Sequence, residues 1–356
     1  MERTLSHRIY LDHAATTPVI AAAREAMAQG VALWANPSSP HAEGRAARAA
    51  LEGARRRIAA AYGWTGETLL TSGASESLHI ALGRSVLPRR IITAVEHDAV
   101  IRAAGDAAVA PVDAAGVVDR ARLATMLDGP PALVCVQWAN SETGVRQPLG
   151  EIAALVHAAG GRLLVDAAQM PASGEVAAFA DMVALSAHKR GGPPGVGALL
   201  VRDLALLSPS GGQERGYRPG TENLPGALGY AAALDVAEPD HQPLRDRLDD
   251  AILRSGGEIV AAAAVRHPAI GSYRLRGVKA AAQLILLDGA GFAISAGSAC
   301  SSGSMKPSHV LAAMGWSETD GREVIRVSFG RDTDAAAVDG FVAAWRQMAR
   351  TTRRAA

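Results

Sequence analysis

Short, almost uninterrupted apolar runs alternate along this chain with alanine-rich stretches of helical spacing. Strands that are covered by helices on both faces have this apolar character, which is typical of parallel sheets. The repeated strand–helix alternation therefore predicts an α/β fold with a mainly parallel sheet between helices. The strand candidates are residues 90–95, 132–138, 163–165, 182–185 and 197–201. The helix candidates include residues 42–61 and 148–159, and Pro148 is placed to open the second.

The pattern changes after about residue 235. Residues 239–243 begin and end with proline, and they break the chain before a further helix and shorter strands. Residues 324–329 alternate as a half-buried strand does, and a last helix is expected over about 334–348, before a solvated tail. The expected domains are a large one over residues 16–235 and a smaller α+β one over residues 236–356 together with 1–15.

The composition argues against several classes of function. Lysine and arginine number 36 against 35 aspartate and glutamate residues, so no net basic field indicates nucleic acid or a membrane surface. No uncharged apolar run is long enough to span a membrane, and residues 1–8 are too polar for a signal peptide. The two cysteines lie far apart, which indicates neither a disulfide framework nor a zinc site. We therefore expect a cytoplasmic protein without a metal site.

Two charged residues follow apolar strand candidates. Lys189 ends the run 181–189 and is followed by glycines, and Asp166 ends the run 161–166. A lysine desolvated at the mouth of a buried strand becomes a nucleophilic amine of the kind that forms Schiff bases. A carboxylate against a pyridinium nitrogen and a lysine joined to an aldehyde are the two fixed points of a pyridoxal phosphate (PLP) site. For each residue by itself, a strand-end charge that faces solvent is the favoured interpretation, but the pair favours a PLP site.

Two further motifs lie where other apolar runs end. Small residues around Ser72 and Ser75 let backbone N–H groups approach a phosphate at a helix N-terminus. An ordinary helix cap by either serine is the alternative, and the Gly-Lys-Ser/Thr ending of a P-loop is lacking. His97 follows the run 90–95. It is either a structural histidine or an imidazole that stacks on a ring and moves protons.

The two cysteines have contrasting surroundings. Cys300 lies in the glycine- and serine-rich stretch 294–305, which we expect to be exposed and mobile. An exposed thiol oxidises and exchanges readily, so a reactive role is favoured. Cys135 lies inside a strand candidate and is expected to be a small buried hydrophobe.

Taken in order, these motifs resemble the cysteine desulfurases of the NifS/IscS type, in the class V aminotransferase group of fold-type I PLP enzymes. The similarity runs from Tyr10 to Arg331. It is carried by residues 10–18, 36–39, 72–77, 96–97, 139–144, 165–169, 186–189, 214–223, 297–300 and 325–331. So many motifs in the same order make a chance match very improbable.

The resemblance implies that PLP removes sulfur from L-cysteine, giving L-alanine and a persulfide on Cys300. An acceptor protein, either an iron–sulfur scaffold or a thiolation carrier, then takes the sulfur. Lys189 would also move the Cα proton. The implied cofactor-binding residues are Ala74, Ser75, His97, Asp166, Gln169, Ser186, His188 and Lys189. Thr221 would reach the phosphate of the neighbouring subunit's cofactor, which requires a homodimer. The implied substrate-binding residues are Asn36, Asn140 and Arg326.

The chain departs from the family pattern at three places. Leu78-His79 replaces a pair that is often Asn-Asn or Asp-Asn, and Asn140-Ser-Glu142 replaces a typical Asn-Asn-Glu. Arg190-Gly-Gly-Pro-Pro-Gly195 replaces a stretch that is commonly Ile/Leu-Tyr-Gly-Pro-Lys-Gly. Two alternatives stay open. A selenocysteine lyase or another class V aminotransferase would not need Cys300 in a mobile loop. A non-catalytic partner protein would have no reason to keep Lys189, His97 and Cys300 together.

Overall fold

The computed structural model describes residues 8–297 and 307–355, and Cys300 lies outside these ranges. The strands within them are β1 (Ile9–Tyr10), β2 (Glu67–Thr71), β3 (Arg89–Thr93), β4 (Ala108–Ala110), β5 (Ala132–Gln137), β6 (Arg162–Asp166), β7 (Met182–Ser186), β8 (Gly197–Val201), β9 (Glu258–Ile259), β10 (Ile270–Arg274), β11 (Phe292–Ala293) and β12 (Val324–Ser328). The α-helices are α1 (Ala21–Ala32), α2 (Ala42–Ala61), α3 (Ala74–Arg84), α4 (Asp98–Ala104), α5 (Arg120–Met126), α6 (Leu149–Ala158), α7 (Leu224–Leu234), α8 (Gln242–Arg254), α9 (Ala280–Gly289), α10 (His309–Ala313), α11 (Glu318–Gly321) and α12 (Ala335–Ala355).

The main sheet has seven strands in the order β2-β8-β7-β6-β5-β3-β4. Strands β3 to β7 pair in parallel, and β8 returns antiparallel between β7 and β2. Every residue of β5, β7 and β8 is buried, as expected for strands covered on both faces. The predicted α/β fold with a mainly parallel sheet is confirmed.

Helices cover both faces of this sheet. Val134 and Val136 of β5 pack into a core that α2, α6 and α7 share. Leu133 and Cys135, which point the other way, pack into a second core with α3 and α4. The prediction that Cys135 is a buried packing residue is confirmed, because its side chain is fully buried.

The register of the parallel strands brings their carboxyl ends together. Asp166, the last residue of β6, pairs with Gln137 of β5 on one side and with Ala184 of β7 on the other. Ligands of open α/β sheets bind at this edge. The ends of β5, β6 and β7 therefore place their following residues around one site.

A smaller antiparallel sheet, ordered β12-β10-β9, follows position 236, and β1 pairs in parallel with β11. The predicted half-burial of β12 is wrong, because all five of its residues are buried. One face packs with α12 through Ile325 and Val327, and bridges to Asp12 and Ser295 flank the strand. The exact residue bounds of the two domains stay a prediction.

The helix predictions are confirmed for α2 and α6. The last helix continues past the predicted end at residue 348 to Ala355, because residues 349–355 contain neither glycine nor proline. No helix in the described part of the chain is long and apolar enough to cross a membrane.

Candidate active site

A cavity of about 410 Å3 lies at the carboxyl edge of the main sheet. The residues predicted to bind cofactor within one chain all line it: Ala74, Ser75, His97, Asp166, Gln169, Ser186, His188 and Lys189. They come from the loops after four different strands. The fold therefore brings together residues that are more than 100 positions apart in the sequence.

The sequence predicted that Lys189 ends β7, and this prediction is wrong. The strand stops at Ser186, and residues Ala187–Lys189 form one turn of 3₁₀ helix. That turn places Lys189 on the wall of the cavity. Its Nζ donates a hydrogen bond to the backbone carbonyl of Ala14. Gln169 Nε2 donates to the same carbonyl at 3.0 Å, so the two side chains are held side by side.

Lys189 is partly buried, and desolvation of its amine is the main cause that lowers its pKa to about 8. The positive charge of Arg326 lowers this pKa further, while the carboxylate of Asp166 opposes the change. A substantial fraction of the amine is therefore neutral just above neutral pH, as a nucleophile requires.

Asp166 is held in place by the loop that follows β6. Its Oδ1 accepts a hydrogen bond from the Ala168 N–H at 3.0 Å. Burial raises the pKa of this carboxyl group, whereas the Ala168 N–H, His97 and Lys189 act in the opposite direction. A cation at the cavity end of Asp166 would offset the cost of its burial.

His97 lies beyond the end of β3, where it caps the N-terminus of α4. Its Nδ1 accepts a hydrogen bond from the Ala99 N–H at 3.1 Å, which leaves the ring proton on Nε2. Burial lowers the pKa of the imidazole. His97 is therefore a neutral ring on the wall of the cavity.

The end of the cavity at α3 presents backbone rather than side-chain caps. The cap residue of α3 is Gly73, with φ +149° and no side-chain hydrogen bond. The alternative of an ordinary serine cap is therefore wrong. A Cβ on Gly197 would lie 2.6 Å from the Gly73 Cα, so Gly197 needs glycine for space, whereas Gly73 needs it for its φ. The first N–H groups of α3 are available to an anion.

His188 completes this end of the cavity. Its Nδ1 lies 3.0 Å from the Thr16 hydroxyl. Burial, followed by the charges of Lys189 and Arg190, lowers its pKa to about 4. The ring is neutral at pH 7 and can donate one hydrogen bond without adding charge.

These features fit PLP on chemical grounds. The cavity offers a partly neutral amine, a buried carboxylate, a neutral imidazole and an uncapped helix N-terminus. They match respectively an aldehyde, a ring nitrogen, a ring face and a phosphate. The volume lies within the range of small-molecule sites.

A second cavity, of about 600 Å3, adjoins the first and shares Lys189 and His97 with it. Arg326 lines this second cavity and is only 6 % exposed, so it is not a surface arginine. Its Nη2 donates to Asp12 Oδ1 at 2.6 Å and its Nη1 to the Ser141 carbonyl at 2.9 Å. Its buried Nε has no hydrogen-bond partner among the described residues.

The other predicted substrate residues are placed differently. Asn140 lines the second cavity, but its Nδ2 donates to the Val95 carbonyl at 3.1 Å and its Oδ1 accepts from the Thr143 N–H at 2.8 Å. Its side chain is thus engaged within the protein. Asn36 and Thr221 are exposed and line neither cavity. Their predicted roles stay predictions, as does that of Cys300.

Sequence reasoning missed Glu142. Its Oε2 accepts a hydrogen bond from Ser308 Oγ at 2.6 Å, and a Cβ on Gly297 would lie 2.7 Å from the same oxygen. Glu142 therefore contacts residues on both sides of the segment that contains Cys300. Glu142 and Ser308 are 166 positions apart, and no local sequence pattern reveals such a contact. The available signal was that Glu142 lies two residues after Asn140.

Asp12 and Arg190 were also missed as parts of the site. Asp12 lies in the first motif, where its charge gave a signal, but its pairing with Arg326 spans 314 positions. Arg190 appeared as a departure from the family pattern and is buried beside Lys189.

Comparison with known proteins gives a consistent set of relatives. Residues 9–341 match the model of the family Aminotransferase class-V. A cysteine desulfurase of Cereibacter sphaeroides is 38 % identical over 362 residues, which cover 93 % of this chain and 93 % of that protein. A NifS-like protein of Rickettsia africae superimposes with a TM-score of 0.86 at 27 % identity, covering 96 % of this chain and 99 % of that one. The structure of SspA in complex with cysteine has a TM-score of 0.79 at 28 % identity, covering 91 % and 99 %.

Proposed function

The chain belongs to the class-V aminotransferase family and, within it, to the cysteine desulfurases, and we propose that it releases sulfur from L-cysteine at Lys189 and passes it on from Cys300. The products are L-alanine and a Cys300 persulfide. The shared wall of the two cavities carries the proposal. Lys189 and His97 line both of them, so a substrate bound at Arg326 lies against the cofactor site.

The first cavity would hold PLP, the cofactor of this family. Asp166 would keep the ring nitrogen protonated, Gln169 would face the phenolic oxygen and His97 would cover the ring. The Ala74 N–H, Ser75, Ser186 and His188 would bind the phosphate. When bound, PLP withdraws electrons from the Cα of an amino acid joined to it.

Arg326 binds the carboxylate of L-cysteine. Its guanidinium is fixed by Asp12 and by the Ser141 carbonyl, which pre-orients the fork for a second carboxylate. The Asn140 side chain would support the substrate site indirectly, because its hydrogen bonds hold the loop that carries Ser141. Asn36 would complete the site. The SspA complex, whose ligand is cysteine, supports this class of substrate.

Lys189 moves the proton of the substrate Cα. Lys189 lines both cavities, so its Nζ would be available as a base beside a bound amino acid. Its pKa of about 8 allows it to accept a proton and to return it near neutral pH.

Cys300 takes the sulfur. Its thiolate attacks the sulfur of the substrate, so that an S–S bond forms while the substrate C–S bond breaks. The C–S electron pair stays with carbon, which takes up a proton on the way to alanine. Gly297 and Ser308, which flank the Cys300 segment, line the second cavity, and this position supports delivery of the thiolate there.

The proposal extends to partners and compartment. A homodimer would let the exposed Thr221 reach the phosphate of the neighbouring subunit's cofactor. An iron–sulfur scaffold or a thiolation carrier would accept the persulfide sulfur. The cytoplasm, where thiols are kept reduced, suits a cysteine that must be a thiolate.

Sulfide and alanine measurements test this function. Purified protein loaded with PLP should release sulfide and equimolar alanine from L-cysteine when a thiol reductant is present. Cys300→Ser should lose persulfide formation but keep the absorbance change on adding cysteine, because sulfur transfer needs the thiolate. Cys135→Ala is the matched control, and it should cost stability and leave turnover nearly intact.

The rival activities give different results in the same assay. Amino transfer to a keto acid without sulfide release would identify an aminotransferase. Release of selenide from selenocysteine, with no sulfide from cysteine, would identify a selenocysteine lyase. If borohydride reduction still fixes PLP to the same peptide in Lys189→Ala, the assignment of that lysine is wrong.

A further inference from the structure

Arg190 follows Lys189 directly, at a place where the chain departs from the family pattern. Its side chain is 8 % exposed. Nη1 lies 3.1 and 2.9 Å from the two carboxylate oxygens of Glu238, and Nη2 donates to the Gln169 carbonyl at 3.2 Å. A buried ion pair commonly adds little stability, because desolvation offsets the attraction. Arg190 therefore calls for an explanation other than packing.

Glu238 lies in the segment that connects β8 to β9, near Arg331. Arg331 Nη1 donates to the carbonyl of Val236 at 2.8 Å, and its Nη2 donates to the carbonyl of Arg190 at 3.3 Å. Its nearest approach to a Glu238 oxygen is longer, 3.6 Å. Backbone contacts thus fix Arg331, and Glu238 mainly fixes Arg190.

Arg190 shares a small cavity, of about 30 Å3, with Lys189, Gln169 and Glu238. Its buried Nε has no hydrogen-bond partner among the described residues. Because an arginine stays protonated in proteins, a permanent positive charge lines the same cavity as Lys189.

We propose that Arg190, anchored by Glu238, is a positioning residue that helps to keep the Lys189 amine neutral at the pH of the reaction. The inference rests on the proposed function only in taking Lys189 as the reactive amine. It gives a reason for the departure from the family pattern: an apolar residue at this position supplies no such charge.

Electrostatics around Lys189 support the proposal. Burial lowers its pKa most, followed by Arg326, and Arg190 acts in the same direction as Arg326. Asp166 and Asp12 act in the opposite direction. The other titratable groups that line the three cavities reached by Lys189 are His13, Glu76, Glu96, His97, Asp98, Arg102, Glu142, His188, Glu238, His241, His267, His309 and Arg331.

Peptide-resolved amine labelling can follow this amine by itself, because the chain has three lysines, Lys189, Lys279 and Lys306. The full-length protein is freed of cofactor and pulsed with acetic anhydride over a range of pH. Mass spectrometry of the Lys189 peptide then gives the midpoint of its reactivity. Exposed Lys279 is the internal reference.

Opposite shifts are expected for the two partners. Arg190→Met removes a positive charge and should move the midpoint to higher pH. Glu238→Gln removes a negative charge and should move it to lower pH. The Arg190→Met shift should reach up to about one pH unit, the lower end of what a neighbouring charge produces, and the Glu238→Gln shift should be smaller. Arg190→Lys keeps the charge and should stay near the wild type.

Controls separate charge from structural damage. Arg247→Met and Asp339→Asn disrupt an exposed ion pair of 2.6 Å and should leave the midpoint unchanged. If Arg190→Met and Glu238→Gln both move it upward, the pair acts only through structure. If neither variant moves the midpoint, burial and Arg326 determine the reactivity of the Lys189 amine without Arg190. Either result overturns the inference, and neither bears on whether the wild type releases sulfide.

Discussion

Arg326 is shared between two acids, one from the protein and one from the proposed substrate. Asp12 neutralises its charge while the cavity holds no cysteine, which reduces the cost of burying a guanidinium. The fork geometry lets one arginine contact both carboxylates at once. Arg331, the other arginine of the same motif, is committed to backbone carbonyls. We therefore propose that recognition of the amino acid depends on Arg326.

Arg326→Lys should raise the KM for cysteine by about tenfold to hundredfold and leave PLP content unchanged. An ammonium cannot hold Asp12 and a substrate carboxylate in the same plane, and a charge-assisted hydrogen bond is worth about 1.5–3 kcal/mol. Steady-state sulfide release measures the effect. Arg247→Lys, on the exposed surface, is the matched control, and an unchanged KM in both variants would contradict the assignment.

The N-terminus of α3 illustrates what local sequence can and cannot predict. Small residues indicated a phosphate site, and the helix begins there. The cap, however, is Gly73 rather than a serine, since its φ of +149° favours glycine. The long apolar strands were predicted because burial on both faces leaves a continuous pattern. Strand β4 was not, because three residues, two of them alanine, give no β-branched run.

Contacts between distant elements could not be predicted at all. Three features depend on how separate elements pack: the turn that positions Lys189, the hydrogen bond between Ser308 and Glu142, and the Asp12–Arg326 ion pair. The motifs supplied the residues of the first cavity, while the second cavity combines residues before position 190 with residues from the C-terminal part of the chain, such as Ser308 and Arg326.

Two glycines provide a test of this helix terminus: Gly73, which caps α3, and Gly83, which lies within it. Gly73→Ala should destabilise the protein by about 1–3 kcal/mol, because the alanine would occupy a strained φ, and it should weaken PLP retention. Gly83→Ala, near the other end, has open space around its Cβ and should stabilise by up to about 1 kcal/mol. Urea unfolding and cofactor retention on gel filtration measure both. Equal behaviour of the two variants would show that the Gly73 conformation is not needed.

The complete molecule is proposed to work as a pair of chains. The stretch 214–223 is tied to its own chain at Glu214, which is buried and accepts from the Leu70 N–H at 2.8 Å. Thr221, seven residues further on, is exposed. An anchored base with an exposed end is a suitable arm for a partner subunit, and closed two-fold dimers are the commonest soluble assembly.

Mixing two inactive chains tests the shared site. Lys189→Ala and Thr221→Ala protomers should regain part of the sulfide release when they form heterodimers, because one hybrid site receives both native groups. Lys189→Ala mixed with a chain that carries both changes offers no native site and should stay inactive. Heterodimers that are confirmed by mass but show no recovery would contradict a shared phosphate site.

Pairing of β1 with β11 and of Asp12 with Arg326 has a consequence for biosynthesis. The main sheet comes from one continuous stretch of chain, so a nascent chain can form it early in translation. Asp12 leaves the ribosome near the start, yet its partner follows 314 residues later, a wait of roughly 15–60 s at common elongation rates. We therefore expect the cofactor cavity to assemble during synthesis and the substrate cavity only after the last strand is released.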